Sequence, residues 1–331
     1  MGARKWLSIG LLLGVFVAPN VVYAQKFERA VLAFGSTGPN LTPFWVGRDA
    51  GLYRKYGVDV DVVFFRGSTI AINALATRDA HFGAFGASSS VLARLGGADT
   101  VLIATATPGL LFYLIARKEI RNASELKGKK IAVSRPGTDS DLAARVAVQK
   151  LGLNEKEVNI ISMGTDRERL SAMSQGIADA TVVTIGGYVA AQKLGFHSLI
   201  DLSRANVPYE AASLITTRAL IKDDPEMIGK FTKGFVAAIQ YAQAHRQATL
   251  KILSKYMRTS DQEILNASYD YYVGRVIPRV PYVSENGLQA VIDFIRQRNP
   301  QTPPVKAQDF MDNRFVKALD DSGFIKALYA R

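Results

Sequence analysis

Five short segments of this 331-residue chain combine small residues with hydroxyls: Ser36-Thr37-Gly38, Gly67-Ser68-Thr69, Ala87-Ser88-Ser89, Gly137-Thr138-Asp139-Ser140 and Gly164-Thr165. Asn40 follows the first of them within the same polar turn. Each segment leads into a predicted helix. The first turn of a helix has unpaired backbone N–H groups and partial positive charge, and neighbouring hydroxyls add donors. Glycine lets a ligand approach the backbone closely. The chemistry this suits is capture of carboxylate, sulfonate or phosphate oxygens. Arg66 and Arg135 stand beside two of the segments and can supply a charge. Taken singly, each segment reads as ordinary helix capping. Five together, split between two halves of the chain, point to one shared cleft.

Catalytic templates are missing from the sequence. It has no Gly-x-x-x-x-Gly-Lys-Ser/Thr phosphate loop and no Gly-x-Ser-x-Gly elbow. Cysteine is absent, which removes thiolate chemistry, disulfides, iron–sulfur clusters and cysteine zinc sites. The three histidines, His81, His197 and His245, are dispersed. Asp139 and Asp141 flank Ser140, where helix-start capping explains them. Tyr269, Tyr271 and Tyr272 with Arg275 read as packing between helices. The expectation is a binding protein with no catalytic residue, no metal site and no cofactor.

The elements that must position these segments alternate. Strands are predicted over Arg29–Phe34, Val58–Phe65, His81–Ala84, Thr100–Thr107 and Leu111–Ala116, with helices over Thr42–Tyr53, Thr69–Ala76 and one opening at Gly86. A second run places strands at Lys130–Ser134, Val158–Met163 and Ala180–Thr184, and a short extended piece at Leu199–Leu202. Its helices cover Asp141–Leu151 and Arg167–Gln175, with another after Thr184. From Pro225 onward the periodicity is helical: 225–246, 248–257, 261–272, 284–298 and 315–329. Strands alternating with helices predict an α/β protein whose parallel sheets are flanked by helices. Asn73–Ala80 and Ser171–Ala180 are weakly similar, and each precedes a strand, a small-residue turn and a helix. This predicts two similar lobes, with a ligand cleft between them.

Composition agrees. With 48% hydrophobic and 21% charged residues, the chain can build a sizeable core and is not disordered. Lys and Arg number 41 against 29 Asp and Glu, a formal net charge of +12. The basic residues are scattered and not interleaved with aromatics, so a nucleic-acid partner is not expected. A basic protein nonetheless suits anionic small ligands. At the N-terminus, Arg4 and Lys5, the apolar stretch Trp6–Val17 and Val22-Tyr23-Ala24 form the three parts of an export signal. Cleavage is expected after Ala24, making residues 1–24 a signal peptide and placing the mature chain in the periplasm.

In this order and spacing, several stretches resemble the solute-binding proteins of nitrate/sulfonate/taurine-type ABC transporters, a group that includes thiamine-pyrimidine-precursor proteins. They are Pro43-Phe44-Trp45-Val46-Gly47-Arg48-Asp49-Ala50-Gly51-Leu52-Tyr53, Gly86-Ala87-Ser88-Ser89, Leu126-Lys127-Gly128-Lys129-Lys130-Ile131-Ala132-Val133, Ser134-Arg135-Pro136-Gly137-Thr138 and Gly176-Ile177-Ala178-Asp179-Ala180. The resemblance implies a two-lobed type II periplasmic-binding fold with two crossover strands and hinge closure on ligand. It implies lobe 1 at 25–116 and 218–331, lobe 2 at 117–217, and crossings near Leu114–Lys118 and Leu214–Arg218. It implies ligand contacts at Ser36, Thr37, Ser68, Ala87, Ser88, Thr138, Asp139, Thr165 and Thr184. With the other residues of the same loops (Asn40, Gly67, Ser89, Arg135, Gly137) and Tyr188, these make the candidate site. Many members carry an acidic residue, Pro and an aromatic after the strand ending at Thr184. This chain has Ile185-Gly186-Gly187-Tyr188, which weighs against an amine- or taurine-like ligand. The implied role is a monomeric, exported binding protein that delivers a small anionic or aromatic ligand to a permease with a cytoplasmic ATPase. Contact with the membrane would run only through the permease. Alternatives on the same fold are an exported enzyme acting on a pyrimidine-like substrate and a receptor for a sensor kinase.

Overall fold

The computed structural model describes residues 27–330, so the predicted signal and its cleavage after Ala24 lie outside the described residues. No helix among the described residues is long and apolar enough to cross a membrane.

Ten strands form: β1 (Glu28–Phe34), β2 (Val58–Phe64), β3 (Phe82–Phe85), β4 (Thr100–Pro108), β5 (Tyr113–Ala116), β6 (Lys130–Val133), β7 (Asn159–Ser162), β8 (Ala180–Val183), β9 (His197–Asp201) and β10 (Glu210–Thr217). They make two five-stranded sheets, ordered β2-β1-β3-β10-β4 and β7-β6-β8-β5-β9. In each sheet the first three strands are parallel. The fourth strand, β10 or β5, runs antiparallel to both neighbours. The sheets are therefore mixed, because the fourth strand arrives from the other lobe and enters head-down. The two weakly similar segments, Asn73–Ala80 and Ser171–Ala180, each lead from a helix into the third strand of a sheet.

The expected lobe boundaries shift. β5 pairs with β8 and β9, so residues 113–116 belong to the second sheet and not to lobe 1. β10 pairs with β3 and β4, so residues 210–217 belong to the first sheet and not to lobe 2. The crossings are therefore 109–112 and 206–209, each ahead of the segment expected to cross, Leu114–Lys118 or Leu214–Arg218. Phe112 and Tyr209 lie in them, both largely buried.

Three apolar clusters hold the lobes. One lies over one face of the first sheet, where the helix Pro225–Ala244 lays Phe231 and Phe235 against β-strand residues. One fills a face of the second sheet around Leu170, Met173 and Val183. The third is continuous from Leu102 through Leu110 and Phe112 to Leu142 and Val146, so the same core spans both lobes. Several predicted helices are broken. Gly51, in left-handed conformation, divides Thr42–Asp49 from Leu52–Lys55, and Gly323 divides Arg314–Asp321 from Phe324–Leu328. Beyond the helix Gln262–Ser268, Tyr269–Val276 winds as a π-helix.

Glu210, at the start of β10, is fully buried. It accepts from the Thr105 hydroxyl and from the Ser284 N–H, the latter at 3.0 Å. Burial pushes its carboxyl up to about 7. The folded state thus holds a proton that the unfolded chain releases near the ordinary glutamate value. This contribution is complete below that value and is lost as pH rises through 7. Stability is expected to fall by about 2 kcal/mol from this group between pH 5 and 7.5. Glu210→Gln should remove that slope in denaturant titrations at the two pH values; an unchanged slope would contradict it.

Candidate functional site

The turns at the carboxyl ends of the strands of both sheets face one another across a cleft of about 670 Å³. Lobe 1 contributes the turn Gly35–Leu41, and lobe 2 contributes Thr138–Ser140 and Gly164–Ser171. The crossing residue Phe112 lies between them, and Met257–Thr259 and Ile264 from the C-terminal helices complete the wall.

Of the expected site residues, Ser36, Thr37, Asn40, Ser68, Thr138, Asp139, Thr165 and Thr184 line this cleft. Several of their hydroxyls are already spent locally. Thr165 closes a capping box with Glu168, whose carboxylate accepts from the Thr165 N–H at 2.7 Å. That N–H holds Glu168 below the usual carboxylate range, against the opposing effect of burial. The Thr138 hydroxyl donates to the Arg135 carbonyl at 2.7 Å. Thr184 donates through its N–H and its hydroxyl to Asp166 at 3.3 and 3.2 Å. Asn40 is different. It is 8% exposed, its carboxamide makes no hydrogen bond within the protein, and its Oδ1 is buried without a partner. A Cβ at Gly38 would sit 2.5 Å from that oxygen, so a side chain there would displace the carboxamide.

The remaining expected residues lie off the cleft. Ala87, Ser88 and Ser89 open a helix whose first turn is pressed against lobe 2. Ser88 donates to Asp139 at 3.1 Å, and Ser89 donates to the Gly137 carbonyl at 3.3 Å and shares a 2.6 Å hydrogen bond with Ser68. Arg135 lays its side chain over Gly67 and donates to the Arg66 carbonyl at 2.6 Å. Tyr188 stacks on Tyr113 with ring centroids 4.6 Å apart. These residues join the lobes or pack within lobe 2. The sequence reading did not find Tyr209, Phe112, Arg167, Met257, Arg258, Thr259 or Ile264. All lie outside the strand-end hydroxyl turns, Arg167 two residues after one of them.

Charges around the cleft are mostly matched. Arg66 pairs with Glu168 across the mouth, and buried Arg169 pairs with Asp166. Arg167 donates to the Met257 and Arg258 carbonyls. Among the described residues, neither Arg167 nor Arg258 has a carboxylate within ion-pair distance, so this rim carries surplus positive charge. Asp139 has no cation on it, and burial pushes its carboxyl up to about 6. No group of three or more potential metal-ligating side chains occurs among the described residues. The arrangement can enclose a ligand with an apolar body against Phe64, Phe112, Met257 and Ile264, while Asn40 and the arginine rim meet its polar groups.

Residues 38–249 match the family model described as NMT1/THI5 like. A Brucella abortus (strain 2308) protein named as a binding protein is 24% identical over 264 residues, covering 78% of this chain and 80% of its own length. The alkanesulfonate-binding protein SsuA from Xanthomonas axonopodis pv. citri, solved bound to MOPS, superposes with a TM-score of 0.72 at 15% identity, covering 88% of this chain and all of that one. The periplasmic nitrate-binding protein NrtA from Synechocystis PCC 6803 superposes with a TM-score of 0.73 at 12% identity, covering 90% of this chain and 89% of that one. These likenesses carry the fold, that of the periplasmic binding proteins, with its two lobes and double crossing. The family match spans most of the chain, including both crossings and most of the cleft-forming turns: the chain belongs to the NMT1/THI5-like family.

Proposed function

We propose that this chain is the solute-binding component of an ABC importer. In this reading it is exported, its signal is removed after Ala24, and it works as a monomer in the periplasm. It captures an organic anion in the interlobe cleft and hands it to a permease with a cytoplasmic ATPase. The cleft itself carries the reading: both lobes and the C-terminal helices wall it, and its volume of about 670 Å³ suits an organic ligand far better than a bare oxyanion. Surplus charge at Arg167 and Arg258 favours an anionic head, and Asn40 offers an unspent carboxamide to a polar group on the body. The family membership and the binding role in the relative's name support the same reading. The histidines support binding over catalysis: His81 accepts from the Val31 N–H at 3.1 Å and His245 stacks on Tyr241, both away from the cleft.

A thermal-shift screen tests it. The protein, unfolded and refolded to strip carried ligand, is offered alkyl and aryl sulfonates, aromatic carboxylates, pyrimidines, amino acids and nitrate. Ligand at 100 times its dissociation constant stabilises by about 2.7 kcal/mol, an easily read rise in melting temperature. An organic sulfonate or carboxylate is expected to raise it, nitrate is not, and Asn40→Ala with Arg167→Ala should abolish the rise. No shift with any organic anion would overturn the reading.

A further inference from the structure

Asp139 is a carboxyl that passes from one lobe to the other with no cation to meet it. It opens the lobe 2 helix Asp139–Lys150. Its Oδ1 accepts from the Ser88 hydroxyl of lobe 1 at 3.1 Å and from the hydroxyl of Tyr209 in the return crossing. Tyr209 and Ser88 are each 2% exposed and bond each other at 3.0 Å. The seat is cut for this group. A Cβ at Gly86 would fall 2.0 and 2.3 Å from the two carboxyl oxygens.

The surroundings offer no counter-charge. On the lobe 1 side, Gly86 and Ser88 are neutral and Tyr209 is the titratable group in contact; burial raises Tyr209 well above its ordinary value, so it stays protonated. Glu210, next to it, turns away to Thr105 and Ser284. On the lobe 2 side, Asp141 is paired with Arg145 at 2.8 Å, and Arg135 is held on the Arg66 carbonyl. Arg66 itself pairs with Glu168. A half-buried carboxylate whose partners are only neutral hydroxyls and the Gly86 backbone is disfavoured relative to the acid. When the lobes part, the same group becomes a solvated carboxylate at a helix N-terminus, where the negative form is favoured.

We propose that closing the lobes takes up one proton at Asp139, which makes this residue a proton-bearing latch and strengthens ligand capture as the medium turns mildly acid. The inference rests on the reading that the lobes close on a ligand. Asp139 acts as a positioning residue: it sets the lobe geometry, while Asn40 and the arginine rim meet the ligand. The sign follows from linkage. The closed state holds the proton up to about pH 6. The open state gives it up near the ordinary aspartate value, so the closed fraction rises as pH falls between those limits and levels off below them.

The test needs no ligand, so it can succeed or fail independently of the thermal screen. The native chain has no cysteine, so Asp61→Cys in lobe 1 and Lys156→Cys in lobe 2, both exposed positions, take a fluorophore pair for single-molecule energy transfer. From pH 7.5 to pH 5 the closed-to-open ratio is expected to rise about tenfold. Asp139→Asn, which keeps the shape without the charge, should stay mostly closed and lose the pH dependence. Gly86→Val, which fills the seat, should stay mostly open at both pH values, with far-UV circular dichroism checking that it has folded. A ratio unchanged between pH 7.5 and 5, or an Asp139→Asn protein that retains the full dependence, overturns the proposal.

Discussion

Replacing Arg169 with Ala is expected to destabilise the protein by about 2–4 kcal/mol, through loss of the charge-assisted hydrogen bonds that its buried guanidinium makes. Arg169 is 2% exposed. Its guanidinium donates to Thr181 Oγ1 at 3.0 Å, to the Val182 carbonyl at 2.9 Å, to the Gly164 carbonyl and to Asp166. One side chain thus ties the Gly164–Asp166 turn of the cleft wall to β8. Without it, Asp166 keeps its bonds from Thr184 but loses its cation, and the buried Val182 carbonyl and the part-buried Gly164 carbonyl lose a donor. Arg169→Lys should not rescue, since a single ammonium cannot reproduce the planar fork. Arg169→Met with Asp166→Asn should recover part of the loss by removing both charges. Chemical denaturation of the three variants checks this. A loss below about 1 kcal/mol for Arg169→Ala would show that the pair behaves like a surface bridge.

Phe231→Ala is expected to cost about 3–5 kcal/mol through lost burial and the cavity left behind. Phe231 is fully buried and stacks on Phe82 with centroids 3.8 Å apart and on Tyr53 at 4.3 Å. It is one of the contacts through which the long helix Pro225–Ala244 covers the first sheet and the short helix Leu52–Lys55. Gly234, one turn further on, lets the helix approach closely: a Cβ there would lie 2.8 Å from the Tyr53 ring. Phe231→Leu should lose much less, because it keeps most of the volume. Equal midpoints in urea for the Ala variant and the parent protein would contradict the packing account.

The alternation of strands and helices was legible because most strand ends are punctuated by Gly, Ser or Thr, and because β2 carries a run of β-branched residues. β10 was not legible as a strand: its first half, Glu210-Ala211-Ala212-Ser213, lacks the β-branched run that marks β4, and burial of all eight residues leaves no alternation. That displaced the second crossing. The cleft-facing turns were legible as places, but the aims of their side chains were not. Thr165 and Glu168 advertise a capping box, and the hydroxyl is used for it. Nothing in Ala87-Ser88-Ser89 reveals that these residues point to the other lobe, because their partners Asp139, Gly137 and Tyr209 lie far along the chain. Met257 and Ile264 sit in ordinary helical periodicity, Arg258 and Thr259 in the link between two helices, and only the tertiary arrangement brings them to the cleft.

The strand orders dictate a sequence of events in time. β4 has only β10 as a strand neighbour in its sheet, and β10 is made long after it, when the whole of the second sheet has already been synthesised. Lobe 2 is an uninterrupted stretch and can assemble from local contacts. Lobe 1 has to wait, with β3 and β4 holding unsatisfied edges until a distant segment inserts between them. Such non-local closure is slow and leaves sticky edges in the interim. Under the proposed export, which threads the chain through a membrane before it folds, that delay is an advantage: its larger half cannot lock shut until most of the polypeptide has been made.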